Sequence, residues 1–134
     1  MHCGWHDRVV HTAGWRRTWA ALFALALVVQ LLVLYLPDPP TDPGVPGLDK
    51  LVHAAVFLAP ALLGALVDLH PAWLGGALLA HAVVSELVQQ HLLPARAGDP
   101  WDALADAIGV ALGLGVGWAV RRRGGDERTG THRH

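Results

Sequence analysis

The sequence predicts an all-α integral membrane protein, a bundle of four transmembrane helices with both termini cytoplasmic. Three observations carry this. Hydrophobic residues make up 53% of the 134 residues and charged ones only 16%, with a positive mean hydropathy. That is too apolar for an ordinary soluble domain of this size, so the bilayer is the fitting solvent. Four apolar segments are each long enough to approach a hydrocarbon core of ~30 Å at ~1.5 Å rise per residue. Arg8, Arg16 and Arg17 precede the first segment, and Arg121, Arg122, Arg123, Arg128 and Arg133 follow the last, as positive-inside anchoring requires.

The first span, Thr18 to Leu36, is almost unbroken, with Gln30 as its clearly polar residue. A cleaved secretory signal is the rival reading, because Arg16 and Arg17 precede the apolar core. The length of that core and the lack of a clear small-residue cleavage site favour a retained span. Pro37 to Leu48 is rich in proline and glycine, carries Asp38 and Asp42 and has no Lys or Arg, which predicts an extended exterior loop. The second span, Leu51 to Val67, contains Pro60, expected to kink it and free a carbonyl near Val56. A tight inside turn around Asp68, His70 and Pro71 leads to the third span, Ala72 to about Leu93. Leu93 to Pro100 forms the second outside loop, and Trp101 to Val120 the fourth span. Trp5, Trp15, Trp19, Trp73, Trp101 and Trp118 fall mostly beside the span ends, as an aromatic belt does. The chain divides into a cytoplasmic tail over 1–16, a membrane domain over 17–120 and a basic cytoplasmic tail over 121–134, both tails being mobile.

Polar groups interrupt the later spans at one level. Asp49, Lys50 and His53 open the second helix; Glu86 and Gln89 lie toward the end of the third; Arg96 and Asp99 occupy the loop; Asp102 and Asp106 open the fourth. In this topology all lie at the outer face. Asp49 with His53 and Asp102 with Asp106 are i,i+4 pairs, and Glu86 with Gln89 an i,i+3 pair, so each pair shares a helix face. The set predicts a polar pocket sunk into the outer leaflet. Five acids (Asp49, Glu86, Asp99, Asp102, Asp106) face two bases (Lys50, Arg96). Retained protons, a bound cation or a positive ligand group must offset the surplus, because an unpaired carboxylate in low dielectric is strongly unfavourable. Acids at a helix centre cost about 2.5–3.5 kcal/mol each on insertion scales, so convergence is a physical requirement.

Asp49-Lys50-x-x-His53 with Phe57 one turn on, Ser85-Glu86-x-x-Gln89, Pro94-x-Arg96, Asp102, Asp106, and the glycines Gly109 and Gly113 together resemble the VanZ-like membrane proteins, over about half the chain. The family has Asn where this chain has Asp106, and a gap one residue shorter between Gln89 and Arg96, which leaves Gln89 and Gln90 as alternatives. The resemblance implies a small multi-pass protein of the bacterial plasma membrane, linked to susceptibility to teicoplanin-type glycopeptides, with no settled reaction.

Two functional readings follow. In the first, Asp49, Lys50, His53, Glu86, Gln89, Arg96, Asp102 and Asp106 bind an envelope component, a lipid headgroup, a cell-wall precursor or a glycopeptide, without chemistry. In the second, Glu86 or Asp106 is a general acid or base with His53 as its partner, and Arg96 with Lys50 holds an anionic headgroup during hydrolysis or transfer on a lipid or lipid-linked precursor. A structural role competes at each residue: Arg96 as an ion pair with Glu86 or Asp102, Lys50 snorkelling to the headgroups, and His53 hydrogen-bonded between helices, with Asp49 as the carboxylate beside it. An ion carrier ranks last, since it needs protonatable groups along the whole membrane depth and chiefly His81 and Gln30 lie below the outer level.

No metal or other cofactor is assigned. His53, His91, Asp49, Glu86, Asp102 and Asp106 are suitable ligand types, but there is no His-Glu-x-x-His and no Cys pair, Cys3 being alone. Phosphate loops, nucleophile elbows and nucleic-acid-binding basic patches are likewise absent. Gly109, Gly113 and Gly117 line one helix face, which suits close packing within the chain or a homo-oligomer.

Overall fold

The computed structural model describes residues 5–36, 45–93 and 99–130, the side chains of 5–13 and 124–130 excepted. Four helices and no strand make up the described residues: α1 (Trp5–Tyr35), α2 (Leu48–Leu66), α3 (Pro71–Leu92) and α4 (Pro100–Gly130). Each contains a stretch long and apolar enough to cross a membrane: Gly14–Tyr35, Leu48–Leu66, Pro71–Leu92 and Pro100–Arg123. The chain is an all-α four-helix membrane bundle. Its outward faces carry Leu25, Leu32, Val83, Leu87, Leu112 and Val116, a surface that suits lipid tails and would be untenable in water. Trp15, Trp73, Trp101 and Trp118 are exposed near the span ends.

Local chemistry sets the element boundaries. Gly47 adopts a φ of +79° at the N-terminus of α2, a backbone conformation that glycine alone adopts without cost. Pro60 sits inside α2 without ending it. Beyond Leu66 the chain turns through Asp68, at a φ of +68°, and the N–H groups of Val67 and Leu69 reach back to the carbonyls of Leu63 and Gly64, closing the helix end. Pro71 and Pro100 stand at the first positions of α3 and α4, where a missing N–H costs nothing. α1 and α4 run beyond the expected spans to Trp5 and Gly130. The described parts of the two tails are therefore helical and continuous with the spans.

α2 is the central helix, packed most closely on α4 and also touching α1 and α3. The core joins Leu34 of α1, Phe57 and Ala61 of α2, Leu74, Leu78 and Ala82 of α3 and Val110 of α4. The glycine stripe is spent inside the chain. A Cβ on Gly109 would run into the Ala54 carbonyl, one on Gly113 would lie 2.5 Å from the Leu58 oxygen, and one on Gly117 2.6 Å from the Ala65 Cβ. The face expected to suit either packing or self-association is already covered by α2.

The end where α1 stops, α2 starts, α3 stops and α4 starts brings the polar residues together. The opposite end carries Arg16, Arg17, Arg121, Arg122 and Arg123. There Arg121 pairs with Asp68 at 2.6 Å and donates to the Ala65 carbonyl at 3.3 Å, joining α4 to the end of α2, where a cation meets the negative end of the helix dipole. Arg122 lies over the Trp118 ring at 3.7 Å.

Candidate functional site

Helix periodicity delivers one polar group from each of α2, α3 and α4 to a common point below the rim of the bundle. His53, one turn into α2, Glu86, in the last two turns of α3, and Asp106, in the second turn of α4, are all buried. His53 Nδ1 stands 3.0 Å from Asp106 Oδ1 and 3.8 Å from Glu86 Oε1. One ligand-type atom from each of the three residues lies within 4.8 Å of the other two. Two carboxylate oxygens here, Glu86 Oε1 and Asp106 Oδ2, are buried without a hydrogen-bond partner among the described residues. Orphaned acceptors of this kind are uncommon in a packed interior and call for an explanation.

A second tier surrounds Lys50. Its Nζ lies 2.9 Å from Asp99 Oδ2, 3.2 Å from Asp102 Oδ1 and 3.2 Å from Asp49 Oδ2. Three carboxylate oxygens match the three N–H groups of an ammonium. Lys50 is thus engaged from two helices, because the start of α4 places Asp99 and Asp102 within its reach, while its side chain stays 37% exposed at the rim. Asp49 and Asp99 border solvent, whereas Asp102 is buried.

Asp99 joins the two tiers and caps a helix as well. Its Oδ1 accepts from the Trp101 N–H at 3.0 Å, capping the start of α4; its Oδ2 takes Lys50 of α2; its own N–H donates to Glu86 Oε2 of α3 at 3.0 Å. The Trp101 N–H and then the Lys50 ammonium hold its carboxyl below the usual carboxylate range, so it stays ionised through neutral and mildly acidic pH. Sequence reasoning counted this charge but left the residue out of the binding set. The signal was present in Asp99-Pro100-Trp101-Asp102, an N-cap residue ahead of a first-turn proline.

Other expected members fall differently. His53 turns to Asp106 and Glu86 rather than to Asp49, which lies at the exposed rim on Lys50. Gln89, not Gln90, faces inward, but its amide donates to the Leu34 carbonyl of α1 at 3.1 Å, so it ties α3 to α1. Ser85 Oγ donates to the Ala82 carbonyl one turn back at 2.8 Å and is engaged locally. His91 is exposed and outside the cluster. Arg96 lies outside the described residues. Deeper in the bundle, His81 Nε2 and the Tyr35 hydroxyl are 3.0 Å apart, beside the Phe57 ring.

The arrangement can therefore bind positive charge at two levels: a half-open rim of acids around one saturated lysine, and a closed trio of one imidazole and two carboxylates beneath it. Comparison with protein-family models, with curated proteins and with solved structures found no match for this chain.

Proposed function

We propose that this chain is a VanZ-like protein of the bacterial plasma membrane whose outward pocket binds the cationic group of an envelope component or amphiphile and so alters glycopeptide susceptibility. The observation that carries the binding step is the saturation of Lys50. All three of its donors meet carboxylates, while Glu86 and Asp106 add two further acids below it. Among the described residues no lysine or arginine at this end is left over to hold an anion. A positive ligand group gains from this field without displacing any existing pair. The convergence of Asp49-Lys50-x-x-His53 with Glu86, Asp102 and Asp106 at one end of the bundle fits the motif order on which the resemblance rests.

The enzymatic reading retains one specific observation in its favour, the 3.0 Å approach of His53 to the buried carboxylate of Asp106. Glu86 or Asp106 then acts as general acid or base with His53 on a lipid or lipid-linked precursor. It must do without Lys50 as a phosphate holder, since that residue is committed to Asp49, Asp99 and Asp102.

The test is teicoplanin susceptibility in cells lacking the protein, complemented with wild type or with Glu86→Gln at equal membrane abundance. Wild type is expected to restore the parental response and Glu86→Gln to leave it at the deletion level. Equal rescue by both would reduce Glu86 to a packing residue, and no rescue by either would remove the link to glycopeptides. A change in extracted lipids or precursors that disappears with Glu86→Gln would favour the enzymatic reading.

A further inference from the structure

We infer that the closed trio of His53, Glu86 and Asp106 is a binding site for a divalent transition-metal ion, Zn²⁺ or a close relative. Each residue comes from a different helix, and together they offer one nitrogen and two oxygens within 4.8 Å of one another. The two separations from His53 Nδ1, 3.0 Å and 3.8 Å, bracket the edge of about 3.4 Å expected for a tetrahedron with ligand bonds near 2.1 Å. The independent pointer is the pair of orphaned oxygens. Asp106 is wholly buried and Glu86 is 9% exposed, yet Oδ2 of the one and Oε1 of the other have no hydrogen-bond partner among the described residues.

Charge decides between an ion and a proton as the occupant. Two buried carboxylates beside a neutral imidazole carry two negative charges. Protons cancel both only if two are taken up, one by the imidazole and one by a carboxylate, whereas a single divalent ion cancels both at once and offers a positive partner to the orphaned acceptors. The donor set selects the class of ion. Calcium takes six to eight oxygens and magnesium a near-octahedral shell rich in water, while imidazole nitrogen with few ligands suits zinc and its neighbours. Outer contacts of the expected kind are in place as well: the Asp99 N–H holds Glu86 Oε2 at 3.0 Å, orienting the carboxylate from behind. The ion lies beneath the rim that meets the organic ligand proposed above. It goes beyond that reading: with Glu86 and Asp106 neutralised by the ion, the three rim carboxylates around Lys50 are what meets the ligand's positive group.

The experiment is metal analysis and Zn²⁺ titration of the purified full-length protein in detergent, carried without an affinity tag of histidines. His2, His6, His11, His132 and His134 are replaced by Ala so that the terminal segments contribute no sites. One equivalent of metal is expected, with Co²⁺ substitution giving the visible absorption of a low-coordinate site. Glu86→Gln is expected to weaken binding more than about 100-fold, beyond the range of outer-shell changes, and His91→Ala, at an exposed position outside the cluster, to leave it unchanged. Absence of saturable binding at one equivalent in the otherwise wild-type chain overturns the inference whether or not any variant folds. So does full retention of affinity and of the Co²⁺ spectrum in a folded Glu86→Gln protein. Bound metal without a teicoplanin phenotype would sink the ligand reading and leave the metal site standing; the reverse result would do the opposite.

Discussion

At the scale of single residues the bundle is organised by side chains that serve more than one helix. Asp99 caps α4, pairs with α2 and anchors the carboxylate of α3; Gln89 ties α3 to the end of α1. The polar residues themselves were legible in the sequence, because charge in lipid-grade sequence must converge. Their pairing was not. Asp49 and His53 share a helix face, and spacing alone favours them as partners. The approach of α4 gives His53 a buried carboxylate instead and leaves Asp49 at the surface. Gln30 is the exception to this economy: it is fully buried in α1, and neither atom of its amide has a partner among the described residues. An unpartnered buried amide costs about 1–3 kcal/mol by mutational measure, and Met fills a similar volume. Gln30→Met is therefore expected to raise stability by roughly that amount in denaturation of the purified protein. A loss of stability would mean that the amide is engaged after all, and would make Gln30 a polar residue with work to do below the outer cluster.

At the scale of elements the four helices were readable from hydropathy, and their number and order are as expected. The boundaries were less so, since helical hydrogen bonding continues past the apolar stretch wherever nothing stops it, as at both outer ends of α1 and α4. The glycine repeat shows a different limit. A four-residue spacing of small residues marks a face for close approach, but the spacing is the same whether the partner is in the chain or in another copy. Here it is α2. Gly109→Ala and Gly113→Ala must each push a methyl group against the α2 backbone, and each is expected to destabilise the fold by about 1–3 kcal/mol. Gly115, one residue off the stripe, has nothing within 4 Å of an added Cβ, so Gly115→Ala should be neutral or stabilising by up to about 1 kcal/mol through helix propensity. Measuring the three side by side separates the packing cost from the propensity gain. Equal effects at all three positions would mean that the α2–α4 approach is looser than described.

At the scale of the whole molecule the two ends of the bundle are chemically opposite. One end gathers acids around Lys50 and His53; the other presents Arg16, Arg17, Arg121, Arg122 and Arg123, with Arg121 held on Asp68 and the end of α2. With four spans both termini emerge on the basic side, and the rule that arginine-rich flanks stay in the cytoplasm orients the acid-rich end outward. The proposed ligand role depends on this orientation, because a pocket facing the cytoplasm would never meet an extracellular drug or an outer-leaflet headgroup. Val45, before α2, and Leu69, before α3, are exposed residues at the two ends, and Cys3 can be replaced so that each carries the single thiol in turn. A membrane-impermeant maleimide added to intact cells is expected to label Val45→Cys at once and Leu69→Cys only after the membrane is opened. The reverse pattern would place the acids inside and end the glycopeptide reading. The trio of His53, Glu86 and Asp106 would then remain as an intracellular metal site, since its geometry is set by three helices of the same chain and does not depend on which way the bundle faces.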